Sequence, residues 1–304
     1  MHPGFWRVVF SSRDTLRRKR RNSRASVQAP VVAVPRVLLQ SIFSVLFPSD
    51  CRICSTPLDN ISRVPVCAEC LAEIKPLRAP QCLVCGDRLM SAQLLMGDGL
   101  CVNCRQRRPE FERAVSFAEY RDGLRRLIHL LKYESVMPVQ APLGRMLAEA
   151  VAELLPTSDG KVVLLPVPLH RSRRRSRGFN QAELIAKAAV KRLPALDFAP
   201  GVLVRQRETI SQVGLSREER IENMRGAFRV ADAGRVKGRT VIVVDDVMTT
   251  GTTLSECARV LKRAGAENVW AATVARAFHG ADLAEAADDG EQGELEAAAV
   301  PASI

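Results

Sequence analysis

Val241-Ile242-Val243-Val244-Asp245-Asp246-Val247-Met248-Thr249-Thr250-Gly251-Thr252-Thr253 reads as a strand, a loop and the start of a helix. Four consecutive branched apolar residues, Val241 to Val244, predict a strand buried on both faces of a parallel sheet. Two adjacent carboxylates, Asp245 and Asp246, stand at its C-terminal end. Beyond the Thr/Gly loop, Leu254, Cys257, Ala258 and Leu261 recur at helical spacing until Gly265. Open α/β sheets bind ligands beyond the carboxyl ends of their strands. Small Thr and Gly side chains ahead of a helix let a phosphate approach backbone N–H groups. A strand followed by a capped helix has no need of paired acids, so the carboxylates point to chemistry. The loop is not a Walker loop, since no G-x-x-x-x-G-K-[ST] occurs.

The 304 residues suffice for one or two domains with a proper core, and 47% hydrophobic residues mark a globular protein. The net charge of +12 is uneven. Arg17 to Arg21 and Arg173 to Arg175 are dense basic runs, whereas the tail after Gly280 carries only acidic charge. Such basicity suits phosphates or nucleic acid.

Residues 1 to 35 read as a disordered basic tail. Leu38, Leu39, Ile42, Phe43, Leu46 and Phe47 have the spacing of a short amphipathic helix. The stretch from Val31 to Phe47 is too polar to span a membrane, and no stable membrane insertion is expected. Eight of nine cysteines then form four C-x-x-C pairs: Cys51/Cys54, Cys67/Cys70, Cys82/Cys85 and Cys101/Cys104. A disulfide framework is the alternative, but paired spacing confined to one segment of a long chain reads as zinc. Each C-x-x-C turn supplies two thiolates, and two turns close one tetrahedral site. Four turns therefore predict two structural zinc ions in a double ribbon over residues 36–110. Sequential pairing is the simplest arrangement and interleaving the other.

From residue 111 the pattern changes to alternating strands and helices, predicting a parallel sheet flanked by helices over 111–279. Strands are expected near 111–121, 162–167, 203–205, 227–230, 241–244 and 269–275, and helices near 124–132, 141–155, 181–193 and 254–264. His170 to Gln181 reads as an arginine-rich loop. Asn180 with Glu183, and Ser216 with Glu219, have the spacing of capping boxes. Residues 280–304 read as a disordered acidic tail. The four histidines lack ligand spacing, Cys257 falls on an apolar helix face, and no internal repeat appears beyond the two cysteine halves.

The Val241–Thr253 stretch resembles the phosphoribosyl-diphosphate (PRPP) signature of type I phosphoribosyltransferases, in which four apolar and two acidic residues lead to Thr-Thr-Gly-x-Thr. Further features narrow the resemblance. They are the double cysteine ribbon, Lys132-Tyr133, Pro166-Val167-Pro168, Arg177-Gly178-Phe179-Asn180-Gln181, Gln212 to Leu215 with Arg217 and Arg220, and Ala275-Arg276. Together they look like the ComF family, also called ComFC or GntX-like, of bacterial competence-associated proteins, over roughly Leu38 to Arg276.

The resemblance implies a cytoplasmic, PRPP-binding glycosyltransferase linked to DNA uptake. Thr249, Thr250, Gly251, Thr252 and Thr253 would cradle the 5′-phosphate, and Asp245 and Asp246 would hold the ribose hydroxyls. Arg177 and Lys132 would face the diphosphate, with Mg²⁺ bound alongside it. It names no acceptor and no oligomeric state. The alternative is a non-catalytic scaffold whose ribbons contact single-stranded DNA or a competence helicase through residues such as Arg105, Arg107 and Arg108. A third reading is a ligand-sensing regulator on the same fold.

Overall fold

The computed structural model describes residues 49–58, 63–155, 162–210 and 216–278. The expected basic tail, amphipathic helix, Gln212–Leu215 segment and acidic tail lie outside them.

Five parallel strands form the central sheet. In chain order these are β1 (Arg113–Glu119), β2 (Val162–Pro166), β3 (Asp197–Phe198), β6 (Thr240–Met248) and β7 (Asn268–Arg276). Their spatial order is β1-β7-β6-β2-β3, which puts β6 in the middle. β4 (Leu203–Arg205) and β5 (Phe228–Val230) make a separate antiparallel pair. Alternation along β6 divides the interior into two cores. Ile242 and Val244 face one, with α4 (Asp122–Lys132), α5 (Gln140–Ala152) and α7 (Gln181–Val190). Val241 and Val243 face the other, with α9 (Thr252–Arg263) and the β4/β5 pair. Two-sided burial is why this strand is a continuous apolar run instead of an alternating one. Gly144 of α5 faces Ala188 of α7 so closely that an added Cβ would lie 2.4 Å from the Ala188 Cβ.

The cysteine segment is two copies of one small device. In each, a backbone bridge closes the first knuckle at the same offset, Asp50 to Pro57 and Gln81 to Arg88. Cys67 and Cys101 then stand at the N-caps of short helices, α1 (Ala68–Glu73) and α3 (Val102–Gln106). Within the second copy, a short helix, α2 (Ser91–Leu95), precedes Cys101. Gly86 closes its knuckle at φ +69°, and an added Cβ there would meet the Ala114 carbonyl oxygen at 2.9 Å. The sulfurs of Cys51, Cys54, Cys67 and Cys70 form one cluster, and those of Cys82, Cys85, Cys101 and Cys104 the other. Pairing is therefore sequential, and all nine cysteines are free thiols. The Sγ atoms of Cys54 and Cys67 are 3.7 Å apart, and those of Cys85 and Cys101 3.5 Å. A tetrahedron with Zn–S bonds of about 2.3 Å has S···S edges of about 3.8 Å, so both clusters have the dimensions of structural zinc sites. The two ribbons join different cores: Cys51 and Cys70 pack into the first, while Cys82, Cys85, Cys101 and Cys104 pack into the second.

Two expectations are corrected. The arginine-rich segment is not a loop but α6 (Arg171–Arg177), with His170 as N-cap and Gly178 at φ +79° as stop. Arginine is a good helix former, and Arg174, Arg175 and Arg177 in the last turn complement the helix dipole. Asn180 caps α7 by accepting from the Ala182 N–H, but Glu183 faces Arg174 at 3.7 Å, so that box is half made. The Ser216/Glu219 box forms in full at the start of α8 (Arg217–Met224). Among the described residues, no helix is long and apolar enough to cross a membrane.

Because the second ribbon's thiols lie inside the second core, its zinc is expected to stabilise the whole domain. Chelation, or Cys85→Ser, should lower the Tm of the main unfolding transition followed by circular dichroism. A separate ribbon transition that leaves the sheet's Tm unchanged would contradict this packing.

Candidate functional site

The site is built at the C-terminal end of β6, where both cores end. Asp245 is half-buried and Asp246 is 4% exposed. Each turns part of its carboxylate onto the backbone: Asp245 Oδ1 accepts from the Asp246 N–H at 2.9 Å, and Asp246 Oδ1 accepts from the Val247 N–H at 2.7 Å. Lys132, the last residue of α4, places Nζ 3.0 Å from Asp246 Oδ2. Burial disfavours the lysine's charge, but Asp246 and Tyr133 outweigh it and hold its pKa above the usual value. Asp245 makes no ion pair within 4 Å among the described residues, though the charges of Lys132 and Arg205 act on it. Burial, reinforced by the charge of Asp246, pushes its pKa up to about 8. Near neutrality Asp245 thus mainly holds a proton, which a cationic or hydroxyl-donating ligand would displace.

Three further groups surround the carboxylates. Arg177 ends α6, donates from Nη1 to Gln181 Oε1 at 2.8 Å, and lies 5.6 Å over the Tyr133 ring. Its charge acts on Lys132, so these two expected residues share one electrostatic environment. Arg205, at the end of β4, is half-buried over the Phe228 ring at 5.6 Å, and its charge reaches Asp245. Burial, with Arg173 nearby, lowers its pKa. Sequence reasoning missed Arg205, because a short Leu-Val-Arg strand carries no motif. Ser172 ties α6 to the segment after β4: its hydroxyl donates to Glu208 and lies 2.9 Å from His170 Nδ1.

The Thr249–Thr253 loop follows directly. Gly251 sits at φ +75°, and an added Cβ would come within 2.6 Å of Met248 Cε. No other residue fits this turn without moving Met248. The turn directs the chain into α9, whose N-cap Gly251 offers no side-chain cap hydrogen bond. Thr250 Oγ1 and Thr252 Oγ1 are hydrogen-bonded at 2.9 Å across the loop. A cavity of about 760 Å³ opens beside it, lined among others by Arg107, Arg108, Thr249, Thr250, Ser255 and Arg276. A second cavity, of about 620 Å³, lies at the opposite, N-terminal ends of the strands by Val162, Asp197 and Arg239, away from the carboxylates.

Of the expected site residues, the structure joins Asp246 to Lys132 directly and places Arg177 beside them. It sets Thr249 to Thr253 one turn further along the chain. His129 bonds Tyr120 at 3.1 Å and Cys257 is buried in the second core, so neither belongs to the site.

The raised pKa of Asp245 has a stability consequence. The group has an ordinary value of 3.8 and a folded value of about 8, so between these pH values the folded state holds a proton that the unfolded state has lost. The stability it confers is full below about pH 4 and is lost as pH rises through about 8. Asp245→Asn removes this titration. Its Tm advantage over the parent is expected to grow from pH 4 to pH 8 and then level off. A difference independent of pH would show that Asp245 is not held protonated.

Comparison with known proteins agrees with this architecture. Residues 42–105 match the double zinc ribbon domain and residues 144–292 the phosphoribosyl transferase domain. Competence protein F of Haemophilus influenzae is 32% identical over 224 residues, covering 72% of this chain and 93% of that protein. The DNA utilization protein YhgH of Salmonella typhi is 32% identical over 227 residues, covering 73% and 94%. YhgH of Escherichia coli K12 is 31% identical over 224 residues, with the same coverage of 73% and 94%. A zinc-ribbon pair, a phosphoribosyl transferase sheet and this identity along nearly the full length of the relatives place the chain in the competence protein F/YhgH family.

Proposed function

We propose that the chain binds PRPP and transfers its phosphoribosyl group to an acceptor nucleophile. The observation that carries this reading is the adjacent acidic pair at the end of β6, one carboxylate held by Lys132 at 3.0 Å and the other half-buried beside it, leading directly into the Gly251-capped start of α9. In this reading the Thr249–Thr253 backbone and hydroxyls cradle the 5′-phosphate. Asp245 and Asp246 accept hydrogen bonds from the ribose hydroxyls. Lys132, Arg177 and Arg205 form the cationic side of the site, where guanidinium groups match the oxygens of a diphosphate.

A donor set of two carboxylates, one of them already engaged by Lys132, suits Mg²⁺ held mainly by ligand oxygens. When bound, Mg²⁺ neutralises charge on the departing diphosphate. The protein's own part is electrostatic. Loss of diphosphate leaves positive charge on the sugar ring, and two preorganised carboxylates beside it lower the cost of that charge. Lys132 holds Asp246 in place for the purpose. The acceptor then attacks the anomeric carbon as the C–O bond to diphosphate breaks, and the bonding electrons leave with the diphosphate.

The names of the relatives, a competence protein and a DNA utilization protein, support a role connected with DNA uptake or use. The second reading, a non-catalytic scaffold for single-stranded DNA or a helicase, draws on the same names and on the exposed Arg107 and Arg108 of the ribbon segment. Calorimetry with PRPP and Mg²⁺ decides between them. The zinc-loaded parent is expected to bind PRPP, and the Asp245→Asn/Asp246→Asn variant to bind it at least roughly ten-fold more weakly, since hydrogen bonds to charged groups contribute about 1.5–3 kcal/mol each. Failure of the folded parent to bind would remove the transferase reading and leave the scaffold.

A further inference from the structure

Arg276, the last residue of β7, lies beside Met248 in the sheet register and is only 3% exposed. Among the described residues its Nε and Nη1 have no hydrogen-bond partner; Asp87 Oδ1 stands 4.0 Å from Nη2, and the Arg276 charge also reaches the Cys85 thiol. A buried guanidinium with two donor atoms unused is costly unless something supplies the acceptors. It lines the cavity of about 760 Å³ that starts at Thr249 and Thr250 and runs between α9 and the second ribbon.

The cavity's other charges sort into used and unused. Glu256 holds Arg259 with two contacts of 2.6 Å, and Glu222 holds Arg225 at 3.4 Å. Arg107 and Arg108 on the ribbon side and Arg263 on α9 are exposed, with no ion pair among the described residues. Glu110 and Glu218 are the remaining acids on its walls besides Asp87. Among the described residues, unused donor atoms and unpaired charge are thus concentrated at the floor, in the Nε and Nη1 of Arg276, and along the ribbon wall, in Arg107 and Arg108.

We propose that this cavity is a second phosphate subsite, floored by Arg276 and walled by Arg107 and Arg108, continuous with the Thr249–Thr253 loop. It rests on the reading of that loop as a 5′-phosphate cradle. The 5′ end of the ligand site is open, so it takes a phosphate beyond the first. That phosphate either continues covalently from the ligand's own 5′-phosphate or arrives free from solution. Lys132, Arg177 and Arg205 belong to the other end of the site and take no part. The second ribbon is then a wall of the ligand site as well as a folding clip.

The test uses the zinc-loaded full chain. Ribose 5-phosphate and ribose 5-diphosphate compete against PRPP with Mg²⁺, and inorganic phosphate is titrated onto the PRPP-saturated protein. The parent is expected to prefer the 5-diphosphate by roughly ten-fold or more, the size of one charge-assisted contact. Arg276→Met and Arg107→Ser/Arg108→Ser should each reduce this preference severalfold while PRPP still binds. Binding of inorganic phosphate to the PRPP-saturated parent, lost in the same variants, would assign the subsite to a free anion, and preference for the 5-diphosphate alone to a tethered one. Equal affinity for the two sugar phosphates, without binding of inorganic phosphate, would overturn the subsite even if PRPP binds. No PRPP binding in the parent would instead overturn the loop reading. If Arg276→Met releases zinc while Arg107→Ser/Arg108→Ser keeps the full preference, Arg276 serves only to balance the ribbon's thiolates and the subsite is overturned.

Discussion

Two neighbouring carboxylates must be kept at the buried end of the central strand, and much of the site follows from this constraint. Like charges this close do not both ionise readily when removed from water. The chain answers in two ways. Lys132 is delivered by the end of α4 to one carboxylate, and the other is left to retain its proton. Removing one partner of such a buried pair typically costs about 3–5 kcal/mol, so Lys132 is a structural residue as much as a binding one. The arrangement stores a specific readiness: a ligand that supplies positive charge or donates hydroxyl protons relieves the strain that the ligand-free protein carries.

The division of the interior explains the placement of the ribbons. A sheet buried on both faces needs cover on both, and helices α4, α5 and α7 cover one while α9 and the β4/β5 pair cover the other. Each ribbon completes a different core, the first beside α4 and the second beside α9. The cysteine repeat is therefore not a detachable N-terminal module. Its second half brings Arg107, Arg108 and Asp87 to the same cavity that the phosphate loop opens into.

Much of this was legible in the residues. The apolar run Val241–Val244 between two turn signals could only be a doubly buried strand, and four C-x-x-C spacings allowed few arrangements besides two tetrathiolate clusters. The Ser216/Glu219 box formed as its spacing implied. What was not legible depends on three-dimensional neighbours. A run of arginines between a strand and Gly178 reads as a solvated loop, because its helix is set by the His170 cap and not by an apolar stripe. Arg205 and Arg276 carry no motif, and their importance comes from burial and from which groups they face. Glu183 matched a capping spacing but is drawn toward Arg174 instead, a competition no pattern within one helix reveals.

The claim on which the account most depends is that Asp245 holds a proton until its ligand arrives. Calorimetric titration of PRPP with Mg²⁺ at pH 7, in two buffers of different ionisation enthalpy, measures this directly. The account predicts release of up to about one proton per ligand bound in the parent, and release close to zero in Asp245→Asn. Identical heats in the two buffers for the parent would show that no proton leaves as the ligand binds and would contradict it.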